Sequence, residues 1–341
     1  MTTHERELTE PVDLCTPDGL KLNPAARGFS RRPLHRANLF GRFGENKKWD
    51  YWAVLAGDLV VSVTIANLDH FGIVDVYWAD LVTKETGGHS VLVAGDDLSL
   101  PDLPGTAPLE AVHPEMAVRI YDESRATRFS ASWNEPDGRA SRLDLTVQLP
   151  EGHESLNVVI PWSDELFNFT SKHQARPATG VLVVGEERRV IGASEAAWGV
   201  LDVGRGRWPS AINWNWGGGA GVCDGHVLGL QVGAKWTEGT GFTENGLFVD
   251  GHLSKLGSEL VWDYDWSEPM RPWRITDPGG QLDAVLTPRF DKHSQVEVSP
   301  ELGSEVHQVF GTWAGRLVDD DGRSFQFTDL QGFAEEARQR W

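Results

Sequence analysis

Apolar residues recur at every second position in one segment of this chain after another, and this alternation limits its fold more than any other feature. Leu59, Val61, Val63 and Ile65 alternate with Val60, Ser62 and Thr64. Leu143, Leu145, Val147 and Leu149 alternate with Asp144, Thr146 and Gln148, and Leu260, Trp262, Tyr264 and Trp266 with Val261, Asp263 and Asp265. Phe325 and Phe327 flank Gln326. A period of two sends successive side chains to opposite faces, so each segment reads as a strand with one dry and one wet face. Gly57-Asp58, Asp137-Gly138, Pro278-Gly279-Gly280 and Asp321-Gly322 punctuate the segments as tight turns. Only Gln331–Arg340 offers a helical pattern, with Phe333, Ala334 and Ala337 able to share a face. A meander of strands on this scale closes into barrels or pairs into sandwiches. The expectation is an all-β chain of two antiparallel β-barrels, with a sandwich as the alternative. No repeat of about 40–50 residues points to a propeller.

At 341 residues the chain has room for two domains with real cores. The polar segment Ser163–Pro177 separates two strand-rich halves. It sets the expected division: an N-terminal extension over 1–30, a first barrel over 31–170 and a second over 171–341. Asp96–Pro114, rich in Pro, Asp and Leu, is expected to pass over a barrel end.

The formal net charge of −19 repels a phosphate backbone, which disfavours nucleic acid and anionic membrane surfaces as partners. Arg27, Arg31, Arg32 and Arg36 are the local exception and read as a solvated, charge-compensated segment. No apolar run approaches the roughly 20 residues of a membrane span, and Met1–Glu10 is too polar for a secretory signal. Two cysteines, Cys15 and Cys223, are too few for a disulfide framework or a structural zinc site. Together these features fit a reducing cytoplasm, which is the expected location. The oligomeric state is left open.

Seven blocks carry a resemblance across nearly the whole chain. They are Cys15-Thr-Pro-Asp-Gly19, Lys48-Trp-Asp-Tyr-Trp52, Phe167-Asn-Phe-Thr-Ser-Lys172, Asp202-Val-Gly-Arg-Gly206, Trp214-Asn-Trp216, Thr243-Glu-Asn-Gly246 with Asp250-Gly251, and Phe310-Gly-Thr-Trp-Ala-Gly315. In that order they resemble the family catalogued as domain of unknown function 2804. The resemblance implies kinship with calycin-like two-barrel proteins, among them carotenoid hydratases, tocopherol cyclases and fungal Diels–Alder cyclases. The barrels are then expected to be lipocalin-like, with a pocket within or between them for an apolar small molecule.

The 15 tryptophans fit either bulky barrel filling or a pocket with flat aromatic walls. As a strand, Trp214 and Trp216 project to one face, and their π-faces suit a polyene or a cation-like intermediate. Asp202 lies near Arg205: the ordinary reading is a salt bridge, the sharper one a buried general acid. The loose Gly199–Asp202 match to the hydratase-like relatives favours looking there. Glu244 and Asp250 are candidates for a carboxylate pair of the kind that hydrolyses sugars, although Asn245-Gly246 reads first as a hairpin turn. Lys172 can face a ligand carboxylate, and Tyr51 can reach a pocket with its hydroxyl. The candidate catalytic residues are therefore Asp202, Glu244 and Asp250. The candidate binding residues are Trp214, Trp216, Arg205, Asn245, Lys172 and Tyr51.

His226, His252, His293 and His307 form no metal-binding run, and no glycine-rich phosphate loop or nucleophile motif is present. No metal or other cofactor is implied. The leading expectation is a hydratase, isomerase or cyclase acting on an isoprenoid- or lipid-like molecule by general acid catalysis. A non-catalytic carrier of a hydrophobic ligand and a carbohydrate-processing protein are the alternatives.

Overall fold

Two large antiparallel sheets account for almost all the secondary structure of the computed structural model, which describes residues 3–340. The first has 13 strands; along its main path run Thr86–Ala94, Phe71–Asp80, Leu59–Asn67, Asn46–Ala56, Ala197–Arg207, Phe167–Val184, Ala140–Gln148, Ala126–Asn134, Met116–Glu123 and Leu109–His113. Its edges curl toward each other. Glu135, just past Ala126–Asn134, accepts from Trp78 Nε1 at 2.9 Å and from the Gly88 amide at 2.7 Å, nearly closing a barrel. The second sheet has 9 strands, running from His252–Leu256 through Ala211–Cys223, Ser324–Arg340 and Leu302–Val318 to Val261–Asp263 at its far edge. The protein is thus all-β, with two lipocalin-like barrels in tandem.

The alternation read in the sequence builds both interiors. Leu59, Val61, Val63 and Ile65 meet Leu143, Leu145 and Val147 in one continuous core. Phe325 and Phe327 join Trp273, Leu286 and Trp313 in the other. The face expected to be wet is often dry as well. Val60, Ala53, Leu55 and Val200, on the outside of the first barrel, pack against Trp216, Phe310 and Phe333 of the second. One strand therefore serves two cores, and the two barrels bind through an apolar interface.

Three expectations need correction. The chain leaves the first sheet at Arg207 and enters the second at Ala211, so the division expected at 170/171 falls inside the strand Phe167–Val184. That strand forms a hairpin with Leu156–Pro161 in the first sheet. It looked like a linker because the outward positions Asn168, Thr170, Lys172 and Gln174 are polar, although all four are buried. Gln331–Arg340 is strand rather than helix, paired on one side with Ala211–Ala220 and on the other with Gly303–Thr312. Its alanines sit where two barrels crowd one strand, with Phe333 facing the other barrel and Ala334 its own. Of the segment around Leu260–Trp266 only Val261–Asp263 is strand, and Tyr264 instead stacks on Trp273 at 3.9 Å. Of the N-terminal segment, Phe29–Ser30 pairs with Leu156–Pro161 in the first sheet, while Glu5 reaches Lys255 and Thr243 beside the second. The described residues contain no helix long and apolar enough to cross a membrane.

Candidate functional site

Where the two barrels diverge beside their apolar contact, a cavity of about 630 Å³ opens between the sheets. Neighbouring strands of the first barrel supply its floor. In Phe167–Val184 the positions Asn168, Thr170 and Lys172 share a face, and opposite them in register stand Gly206, Gly204 and Asp202. The glycines are demanded by close approach. A Cβ at Gly204 would lie 2.1 Å from the Trp49 ring, and one at Gly206 would lie 2.2 Å from the Phe167 carbonyl oxygen. The second barrel supplies the roof: Trp214 and Trp216 from Ala211–Cys223, Gln308, and Glu335 from Ser324–Arg340. Trp236 and Glu244 come from the connection before Asn245–Val249, and Trp208 from the short crossing between the sheets. Trp208 is the hub of the aromatic wall, 5.3 Å from Trp236, 5.5 Å from Trp49 and 5.7 Å from Trp214 between ring centres. Phe71, Leu92, Val296, Val298 and Leu302 line the cavity toward solvent as an exposed apolar rim.

Three carboxyl groups and one ammonium face this indole-walled space. Lys172 Nζ lies 2.8 Å from Asp202 Oδ1 and 3.0 Å from Glu244 Oε2, and 4.7 Å from the centre of the Trp216 ring. Asp202 also accepts from Thr170 Oγ1 and Trp49 Nε1, both at 3.2 Å. Burial pulls Lys172 toward neutrality, but Asp202 and Glu244 outweigh it and raise its pKa. Burial pushes Glu244 up to about 7 against the pull of Lys172, with Asp202 adding to the rise. Trp236 Nε1 donates to Glu244 Oε1 at 2.6 Å. Glu335 is also pushed up to about 7 by burial, against the hydrogen bond from Trp214 Nε1 at 2.8 Å. Its other oxygen accepts from Gln308 Nε2 at 2.9 Å. Near neutral pH both glutamates therefore exchange protons inside a largely apolar chamber.

Asp202, Glu244, Lys172, Tyr51, Trp214 and Trp216 all line the cavity. Three other candidates do not. Arg205 is an odd number of residues from Asp202, so the strand turns it to the opposite face. There it is fully buried and pairs with Asp50 at 2.6 Å, which removes the expected Asp202–Arg205 bridge. Asp250 sits on an exposed turn with φ 50°, accepting from His226 Nδ1 at 2.6 Å and the Val227 amide at 2.9 Å. It and Glu244 flank opposite ends of Asn245–Val249, so they form no carboxylate pair. Asn245 is a structural group: its side chain accepts from the Gly233 amide at 2.7 Å and donates to the Ser258 carbonyl at 3.1 Å. The Asn245-Gly246 turn is likewise displaced, since both residues begin a strand and the hairpin turns at Asp250-Gly251. Trp216 is not a free cation-binding wall, because Lys172 already occupies one face.

Sequence reasoning missed Glu335, Gln308, Asn168, Trp208 and Trp236. Glu335 was hidden by the helical reading of its segment. Alternation along Asn168, Thr170 and Lys172 was the available signal for a polar, inward strand face.

Two of the scattered histidines do meet. His293 and His307 are cross-strand partners, and with Glu305 their ligand atoms lie within 4.8 Å of one another. Their rings are parallel at 8° and 4.2 Å apart, and each already faces a carboxylate: Glu305 at 3.2 Å and Asp291 at 2.8 Å. Parallel rings send their lone pairs side by side rather than to one point. The arrangement is a ladder of imidazole–carboxylate pairs.

The fold and crevice define a two-barrel protein with a cluster of buried ionisable groups between the barrels. The chain belongs to the family described as domain of unknown function (DUF2804), matched over residues 5–341. No curated protein matches it in sequence. Among solved structures, kievitone hydratase from Nectria haematococca is similar with a TM-score of 0.51 at 12% identity, covering 100% of this chain and 98% of that one. CghA is similar with a TM-score of 0.49 at 12% identity, covering 98% and 94%. At 12% identity the likeness to kievitone hydratase is one of fold.

Proposed function

We propose that this protein is an acid–base enzyme of the hydratase, isomerase or cyclase type, acting on an apolar small molecule held between its barrels. The observation that carries this reading is the pair of buried glutamates, each with a pKa raised to about 7, facing an indole-walled cavity. A carboxylic acid that keeps its proton near neutrality can deliver it to a double bond. Glu335 is the better donor, because neutral groups, Trp214 and Gln308, hold its oxygens. Its proton would form a C–H bond from the π electrons and leave a cationic carbon beside the Trp214 and Trp208 rings. Either water adds to that carbon and releases its proton to the carboxylate, or a neighbouring C–H returns a proton to it. Both routes restore the acid. The cavity volume falls in the range of about 300–1,000 Å³ that holds a small organic ligand. The likeness in fold to a protein named a hydratase supports the same class.

Incubation in D₂O with a panel of conjugated olefins and their hydrates tests the reading, with deuterium on carbon read by mass spectrometry. One substrate class should take up label, and Glu335→Gln should slow uptake by about a hundredfold or more. Tight binding of panel members without any label uptake would overturn the enzymatic reading and favour a carrier.

A further inference from the structure

Asn168 is 1% exposed and lines the cavity, yet neither Nδ2 nor Oδ1 has a hydrogen-bond partner among the described residues. Its neighbours do not share this condition: on the same strand face Thr170 donates to Asp202, and Lys172 is doubly ion-paired. Leaving both a donor and an acceptor of one buried amide unmet is costly, and native proteins seldom tolerate it without a functional reason. The neighbouring strand also presents no side chain to this amide. Gly206 stands opposite Asn168 in register, and a Cβ there would lie 2.8 Å from Asn168 Oδ1. The glycine that the Phe167 carbonyl requires thus leaves a bare backbone beside an amide that bonds to nothing of its own.

Resting on the reading of the cavity as a ligand site, we infer that Asn168 recognises a polar edge on an otherwise apolar ligand, one that offers a donor and an acceptor side by side. An amide presents its oxygen and its N–H₂ in one plane a little over about 2 Å apart, so the complement is a planar group with the opposite order. A carboxamide, a lactam or a neutral carboxylic acid pairs with it through two parallel hydrogen bonds. A pure hydrocarbon leaves it unsatisfied. The indoles of Trp49, Trp208, Trp214 and Trp236 hold the flat apolar body, and Asn168 fixes which end of it points inward. Orientation of this kind decides which carbon faces Glu335. Asn168 is a specificity residue, separate from the proton donor.

Calorimetric titration with two probes of similar size, a naphthalene carboxamide and methylnaphthalene, reads this directly. The wild-type protein should bind the carboxamide at least about tenfold more tightly, the worth of one well-made net hydrogen bond. Asn168→Leu should erase that preference while leaving methylnaphthalene affinity within about twofold. The same variant should melt at or above the wild-type temperature, since it removes two unmet polar atoms from a buried site. Equal preference in variant and wild type, or a variant that melts well below the wild type, overturns the role of Asn168. If neither probe binds the wild-type protein, the cavity is not a site for flat apolar ligands, and the reading beneath this one falls instead.

Discussion

The interior of the first barrel and the crevice between the barrels are both buried, and they are built on opposite principles. The interior is a continuous apolar core, with Val61, Val63, Leu143, Leu145 and Phe129 from facing strands in one cluster. A lipocalin-like barrel invites the expectation of a ligand inside it, but here side chains fill that space. The crevice holds Lys172, Asp202, Glu244 and Glu335, and every carboxylate there is met by an indole, an amide, a hydroxyl or an ammonium. Stability is concentrated in the first region and ionisable chemistry in the second. Asn46–Ala56, Phe167–Val184 and Ala197–Arg207 take part in both, lining the first barrel on one face and flooring the crevice on the other.

The largest expected contrast comes from one substitution in each region. Leu143→Ala, at a fully buried position, should cost about 2–5 kcal/mol at every pH. Lys172→Met leaves Asp202 and Glu244 without their cation and should cost about 3–5 kcal/mol. Its cost should grow with pH. Glu244, whose pKa is pushed up to about 7, is protonated at low pH and needs no partner there, whereas at higher pH it ionises without compensation. Urea denaturation at pH 5 and pH 8 separates the two. A pH-independent cost for Lys172→Met would show that the cation contributes packing alone.

Glu335→Gln should act more gently and with the opposite sign. Its carboxyl moves from 4.5 to about 7 on folding, so the native state holds more protons across that interval. Stability from this group is therefore present below about pH 4.5 and is lost as pH rises through 7. The amide cannot ionise, so the variant should be more stable than wild type at pH 8, by about 1–3 kcal/mol at most. The two should converge near pH 4. Parallel stability curves would mean that Glu335 ionises as freely in the fold as in water.

The smallest effect belongs to a residue outside both regions. Asp250→Asn keeps a side chain that tolerates positive φ and should change stability by no more than about 1 kcal/mol. Probe affinity in the crevice should not move. A loss of ligand binding there would reconnect Asp250 with the site, against its place on an exposed turn.

Half of the site was legible as residue types and little of it as geometry. Asp202, Glu244, Lys172 and the two indoles were singled out in the sequence, yet Asp202 was matched with the wrong cation. Three residues along a strand is an odd step, so Arg205 points away, and Lys172 reaches Asp202 only because Phe167–Val184 pairs with Ala197–Arg207 in that register. Glu335 escaped notice because Ala334 and Ala337, small enough for a strand squeezed between two barrels, imitate a helical stripe.

The sequence by itself determined the all-β class, most of the tight turns and the apolar faces of the main strands. Those rest on local periodicity and backbone preference, which need no knowledge of distant partners. Tertiary structure alone decided which second face would be buried, where one sheet gives way to the next, and which carboxyls share a cavity. A face is wet or dry only once another sheet lies on it. A carboxyl holds its proton near neutrality only once the water around it has been replaced by tryptophan.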